Sequence, residues 1–146
     1  MSESVFDRAS VRRGMDCPEC GATPLVVTLP TSLCASLAND PEIAAICRRC
    51  LTVSPSEGPV TDDPTAIADL STALPDDPDT AIEVALLVTL CESLALHRTE
   101  IEQLVAQIER AGVDPLLTLG RLANDPDLEL ALDVERRRPQ LTQLLQ

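Results

Sequence analysis

The chain contains no lysine, no tryptophan and no tyrosine, and Phe6 is its only aromatic residue. Without large rigid rings, a core must be assembled from Leu, Val, Ile and Ala. These are abundant enough for one modest domain, or for a small metal module joined to a helical one, in 146 residues. Long apolar runs are missing too. The most apolar window, AIEVALLVTLCESLAL at 81–96, is too short to cross a bilayer and carries Glu83 and Glu92. The opening MSESVFDRASVRRGMD is charged throughout and has no apolar signal core. A soluble, cytoplasmic protein is therefore expected.

With lysine absent, all eleven cations are arginines, and 24 acidic residues set the formal charge at −13. Acidic excess causes self-repulsion that salt screens. A lysine-free, Asp-rich chain thus suits a high-salt cytoplasm, although a GC-rich coding bias also favours arginine over lysine. The charge is uneven: residues 1–50 carry a net −1 and residues 51–146 a net −12. A nucleic-acid binder should show a basic stripe, and none is visible.

What the chain does have is cysteine. Five of its six cysteines fall between residues 14 and 53, and four make two pairs, CPECG at 17–21 and CRRC at 47–50. In a reducing compartment such pairs point to metal and not to disulfides. Zinc takes four thiolates in a tetrahedron, and each C-x-x-C turn delivers two while aiming backbone N–H groups at the sulfurs. Cys17, Cys20, Cys47 and Cys50 are the expected ligands of one structural Zn2+. Gly21 suits the tight turn after the second ligand, where a positive φ is convenient. The 26 residues between the pairs exceed the usual spacing of roughly 15 to 20, so an insertion is expected there: a strand in ATPLVVTLP, then a helix from Asp40 that returns the chain to Cys47. A redox pair would need a βαβ context that is absent, and iron–sulfur spacings do not match. Cys34 and Cys91 are expected to pack as small apolar residues.

A four-thiolate site is closed to water and substrate, so no hydrolytic chemistry is expected of it. His97, the only histidine, has no Ser, Cys or carboxylate constellation around it and is expected at the core edge or surface. The chain is not expected to be an enzyme. The leading expectation is a binding or regulatory module whose helical part meets a protein partner. The alternative is a nucleic-acid-binding ribbon using Arg12, Arg13, Arg48 and Arg49, with a redox or zinc-release switch at the thiolates as a third option.

The organisation follows from composition: a zinc ribbon over 1–54, an acidic Pro-rich linker over 55–77 with a helical turn at 64–71, and a helical domain over 78–146. The expected class is α+β, mainly α. Asp77-Pro78 starts an all-round apolar helix. A second helix carries Ile101, Leu104, Val105 and Ile108 and stops at Gly112. Further short helices are expected from Pro115, from Pro126 to about Leu132, and from Pro139, since an interior proline would cost about 3 kcal/mol. LANDP occurs at 37–41 and again at 122–126. The flanks differ, so it reads as one helix-start signal used twice, with Asp as N-cap and Pro at the first helical position.

The segments CPECG and CRRCLTV, the acidic linker, and then LALHRTEIEQLVAQIERAGVDPLLTLGRLANDPDL and ERRRPQL resemble an uncharacterised haloarchaeal family of small CPxCG-related zinc-ribbon proteins. RAGVDPLL is more specific than the knuckles. The resemblance implies zinc ligation by Cys17, Cys20, Cys47 and Cys50, and implies no activity.

Overall fold

A computed structural model describes residues 24–29, 42–56, 59–130 and 132–144. It is a mixed α+β fold in which a small antiparallel sheet lies against a set of helices. Strands β1 (Pro24–Thr28), β2 (Ile43–Cys47) and β3 (Val53–Pro55) lie in that order across the sheet. Leu25 faces Ile46, Val27 faces Ala44, and Ile46 in turn faces Val53. These five side chains form the buried face and join the main core, as the two-residue side-chain period of a strand requires.

The expected helix leading into Cys47 is instead β2. Ile43 and Ile46 are β-branched, and all five residues of the strand pair with β1. A short apolar run such as IAAIC is ambiguous by periodicity alone. A neighbouring strand that takes its backbone groups decides the outcome.

The outer edge of β1 is closed by the chain returning after β3. The amides of Thr61 and Asp62 donate to the Val26 carbonyl at 3.0 and 3.2 Å, and the Val26 amide donates to the Thr61 hydroxyl at 3.3 Å. An edge that would otherwise offer unpaired backbone groups is thereby covered. Within the segment expected as a linker, a 3-10 helix runs over Pro64–Leu70. Asp63 caps it by accepting from the Thr65 amide and hydroxyl, and Ile67 is fully buried in the same core as the strands.

Helix α1 (Pro78–Leu90) begins as expected, with Asp77 accepting from the Thr80 amide at 3.0 Å and Pro78 in the first turn. It is buried nearly all round, from Ala81 to Val88, and is the axis of the fold. Helix α2 (Arg98–Arg110) buries Ile101, Leu104, Val105 and Ile108. It ends where Gly112 takes φ 88°. There the Gly112 amide donates to the Glu109 carbonyl and the Val113 amide to the Ile108 carbonyl, the two bonds of a Schellman ending. Helix α3 (Pro115–Ala123) is capped by Asp114, which accepts from the Leu117 amide.

Two further helix expectations are corrected. The first concerns Pro126, where residues 126–127 form a turn and 128–130 continue without regular structure. In a helix the Glu129 amide would bond the Asp125 carbonyl. Here it donates to the Arg49 carbonyl at 2.7 Å, while the Leu128 amide closes a tighter turn on Asp125. One Asp125 oxygen accepts from the Asp127 amide at 2.8 Å and the other from the Ser71 hydroxyl. The second concerns Pro139, which lies inside helix α4 (Val134–Leu144) and does not start it. Asp133 accepts from the Arg136 amide at 3.1 Å, and Val134 and Leu141 are buried on one face. Capping and burial together outweigh the one hydrogen bond that proline removes.

Candidate metal centre

The CRRC turn joins β2 to β3. Cys47 ends β2; its amide donates to the Thr52 carbonyl at 3.0 Å and its carbonyl accepts from the Leu51 amide at 3.1 Å, closing the hairpin. The amides of Arg49 and Cys50 both point at the Cys47 sulfur, at 3.3 and 3.4 Å. Backbone donors aimed at a sulfur stabilise it as a thiolate, which is what a metal ligand must be. Cys50 Sγ lies 3.0 Å from the Thr52 hydroxyl. Both cysteines are almost fully buried and touch each other apart from the main core.

A thiol packed against another sulfur out of water resists ionising. The Cys50 thiol is pushed far above the ordinary range, first by its hydrogen bond with Cys47 and then by burial, with Thr52 opposing both. A divalent cation bound by these sulfurs would reverse this balance, because its charge would hold the coordinated sulfur deprotonated.

Leu51, directly after the second cysteine, takes φ 63°. In the CPECG turn glycine stands at the same place, Gly21. A left-handed leucine costs roughly 1–2 kcal/mol. Full burial of its side chain in the main core returns about 1.5–3 kcal/mol, so packing can hold the turn in a conformation that leucine alone disfavours.

Of the four expected ligands, Cys47 and Cys50 are brought together. Cys17 and Cys20 lie outside the described residues, as do Cys34, Arg8, Arg12 and Arg13. Among the described residues no group of three or more His, Cys, Asp or Glu side chains is arranged to hold a metal. The register sets Pro24, the first residue of β1, opposite Cys47. The chain arriving from Cys20 therefore joins the sheet at the end where the CRRC turn stands.

A scan against protein-family profiles matches residues 16–145 to a family of unknown function, DUF6276. The chain belongs to this family. No curated protein and no solved structure matches it. In this DUF6276 chain the arginines of the CRRC turn face carboxylates: Arg48 stands 3.7 Å from Asp62, and Arg49 stands 3.5 Å from Glu129. Such exposed pairs are worth little individually.

The remaining residues of interest lie elsewhere. Cys91 is buried in the core, and burial pushes its thiol up to about 12 against a small opposing effect of Arg137, which leaves it a poor nucleophile near neutral pH. His97 is half-buried, at the position just before α2. A cavity of about 430 Å³ opens between the turn after α1 and helix α4, lined by Ser93, Leu94, Arg98, Arg137 and Gln140 among others. No helix among the described residues is long and apolar enough to cross a membrane.

Sequence reasoning missed Leu51, Thr89 and Glu129 as residues that hold the CRRC turn and β3 against the helices. The Thr89 hydroxyl accepts from the Val53 amide at 2.9 Å while donating to Ala85, tying β3 to α1. The position of Leu51 had a signal in the sequence, the glycine that follows the other C-x-x-C pair. Thr89 and Glu129 had none.

Proposed function

We propose that this chain is a non-enzymatic zinc protein in which Cys17, Cys20, Cys47 and Cys50 hold one structural Zn2+. In this reading it is a haloarchaeal relative of the CPxCG zinc ribbons and works as a protein-interaction or regulatory module. The observation that carries the reading is the CRRC turn, with two main-chain amides aimed at the Cys47 sulfur and a left-handed residue just after the second cysteine. This is the arrangement a C-x-x-C turn needs to present two sulfurs to one metal.

The sheet register adds support. Cys20 is four residues from Pro24, and at about 3.3–3.6 Å per residue it cannot lie more than about 14 Å of chain from the partner of Cys47. Four thiolates close the coordination sphere, so the metal supplies rigidity and no open position for a substrate. Exposed Leu96 and Leu117 are available on the helical body for contact with a partner.

Metal analysis of the purified full-length chain tests the reading. One zinc per chain, lost with Cys47→Ser, is expected; a chain purified without chelators that carries no zinc and takes none up overturns it.

A further inference from the structure

Arg98, at the start of α2, and Arg137, within α4, are remote in the chain and border the same cavity of about 430 Å³. That volume falls within the roughly 300–1,000 Å³ of sites that hold small molecules. A second hollow of about 300 Å³ shares Arg98, Gln140 and Leu144 with it, so Arg98 stands at the edge of both. Leu94, Ala95 and Leu144 give the larger cavity a wall that is more apolar than polar. Glu92 borders it as well. Among the described lining residues, two guanidiniums against one carboxylate leave a formal excess of one positive charge, in a stretch of chain, residues 51–146, that carries a net −12.

The two guanidiniums are held differently. Arg137 is half-buried; its Nη1 donates to the Gln140 side-chain oxygen at 3.0 Å and its Nη2 to the Glu92 carbonyl at 3.4 Å. A guanidinium has more N–H donors than these bonds use. Gln140, with its oxygen given to Arg137, keeps its amide nitrogen as a further donor. Arg98 is exposed, and its pair with Glu102, one turn along α2, spans 3.6 Å. Exposed pairs of this kind contribute little, so an incoming anion can compete for Arg98.

We propose that this cavity binds a compact aliphatic carboxylate, with its head between Arg98 and Arg137 and its body along Leu94, Ala95 and Leu144. The site is independent of the cysteines and of the zinc reading. A planar carboxylate matches the fork of a guanidinium, and its single negative charge equals the excess left beside Glu92. Its aliphatic body removes apolar wall from water, which favours binding in proportion to the area covered. Inorganic phosphate has no such body, and as a dianion it brings more charge than the cavity balances.

The test titrates hexanoate into the full chain at fixed ionic strength, followed by calorimetry and by backbone amide NMR shifts. Saturable binding is expected, with shifts centred on residues 92–98 and 137–144. Hexanamide, which has the same shape without the charge, and inorganic phosphate are each expected to bind about tenfold more weakly or less. Arg98→Gln is expected to weaken hexanoate binding about tenfold, and Arg121→Gln, on α3, to leave it unchanged. Glu102→Gln is expected to strengthen it about twofold, because Arg98 loses its competing partner.

Hexanoate that does not saturate, or that shifts amides elsewhere in the chain, overturns the site. Hexanamide binding as tightly as hexanoate overturns the part given to the guanidiniums, and so does unchanged binding by Arg98→Gln. Should that variant not fold, hexanamide and Glu102→Gln decide the same point, the latter by binding no more tightly than the wild type. Phosphate binding more tightly than hexanoate overturns the ligand class.

Discussion

The main-chain amide of Glu129 donates to the carbonyl of Arg49 at 2.7 Å, and their side chains pair at 3.5 Å. The bond joins the cysteine turn to the stretch after α3 and replaces the hydrogen bond that would have begun a helix at Pro126. Removing the donor with Glu129→Pro should cost about 1–3 kcal/mol. Glu129→Gln, which removes only the exposed ion pair, should cost less than about 1 kcal/mol. Denaturant unfolding of both variants checks the contrast; equal losses would show that the side-chain pair is what matters.

Glu83 is buried on α1, and its carboxyl is raised above the usual range by burial first, then by Asp79 and Asp77, with Arg110 opposing. A raised acid favours folding while protonated, and that contribution fades as pH rises through its folded value. Glu83→Gln should therefore raise the melting temperature at neutral pH, with the gain shrinking toward zero as pH falls below the ordinary glutamate range. A gain that persists unchanged at acid pH would mean that ionisation is not its cause.

Asp125 behaves in the opposite sense. The Ser71 hydroxyl and then the Asp127 amide hold its carboxyl below the usual range. Its contribution is present above the ordinary aspartate value and is lost as pH falls through the lower folded value. Ser71→Ala should reduce stability near neutral pH and flatten this part of the acid unfolding curve. Parallel curves for variant and wild type, offset by a constant, would rule out Asp125 as the acid-sensitive partner.

Pro139 sits in the interior of α4, where it removes one main-chain hydrogen bond. Pro139→Ala should stabilise the chain by about 1–2 kcal/mol, less than the full cost of about 3 kcal/mol because proline also restrains the unfolded chain. Thermal unfolding measures it. A loss of stability would mean that the proline ring itself packs productively in α4.

Local chemistry was legible in the sequence wherever the partners were neighbours. The caps at Asp63, Asp77 and Asp114, each followed by proline, were readable because the carboxylate and the amides it accepts from lie within three residues. The Schellman ending at Gly112 and the apolar faces of α1 and α2 were readable for the same reason. The spacing of Cys47 and Cys50 placed both sulfurs on one turn, since a C-x-x-C pair needs only its own backbone to do so.

Tertiary structure decided the rest. Asp125-Pro126 carries the same local signal as the three working caps. It does not start a helix, because Ser71 and Arg49, both remote in the chain, take groups that a helix would use. Residues 43–47 became a strand because β1 offered all five a partner, and α4 ran through Pro139 because Val134 and Leu141 were buried together. Leu51 makes the division plain: the cysteine spacing places a turn before it, but only the assembled core, by burying its side chain, outweighs the left-handed backbone that leucine would otherwise avoid.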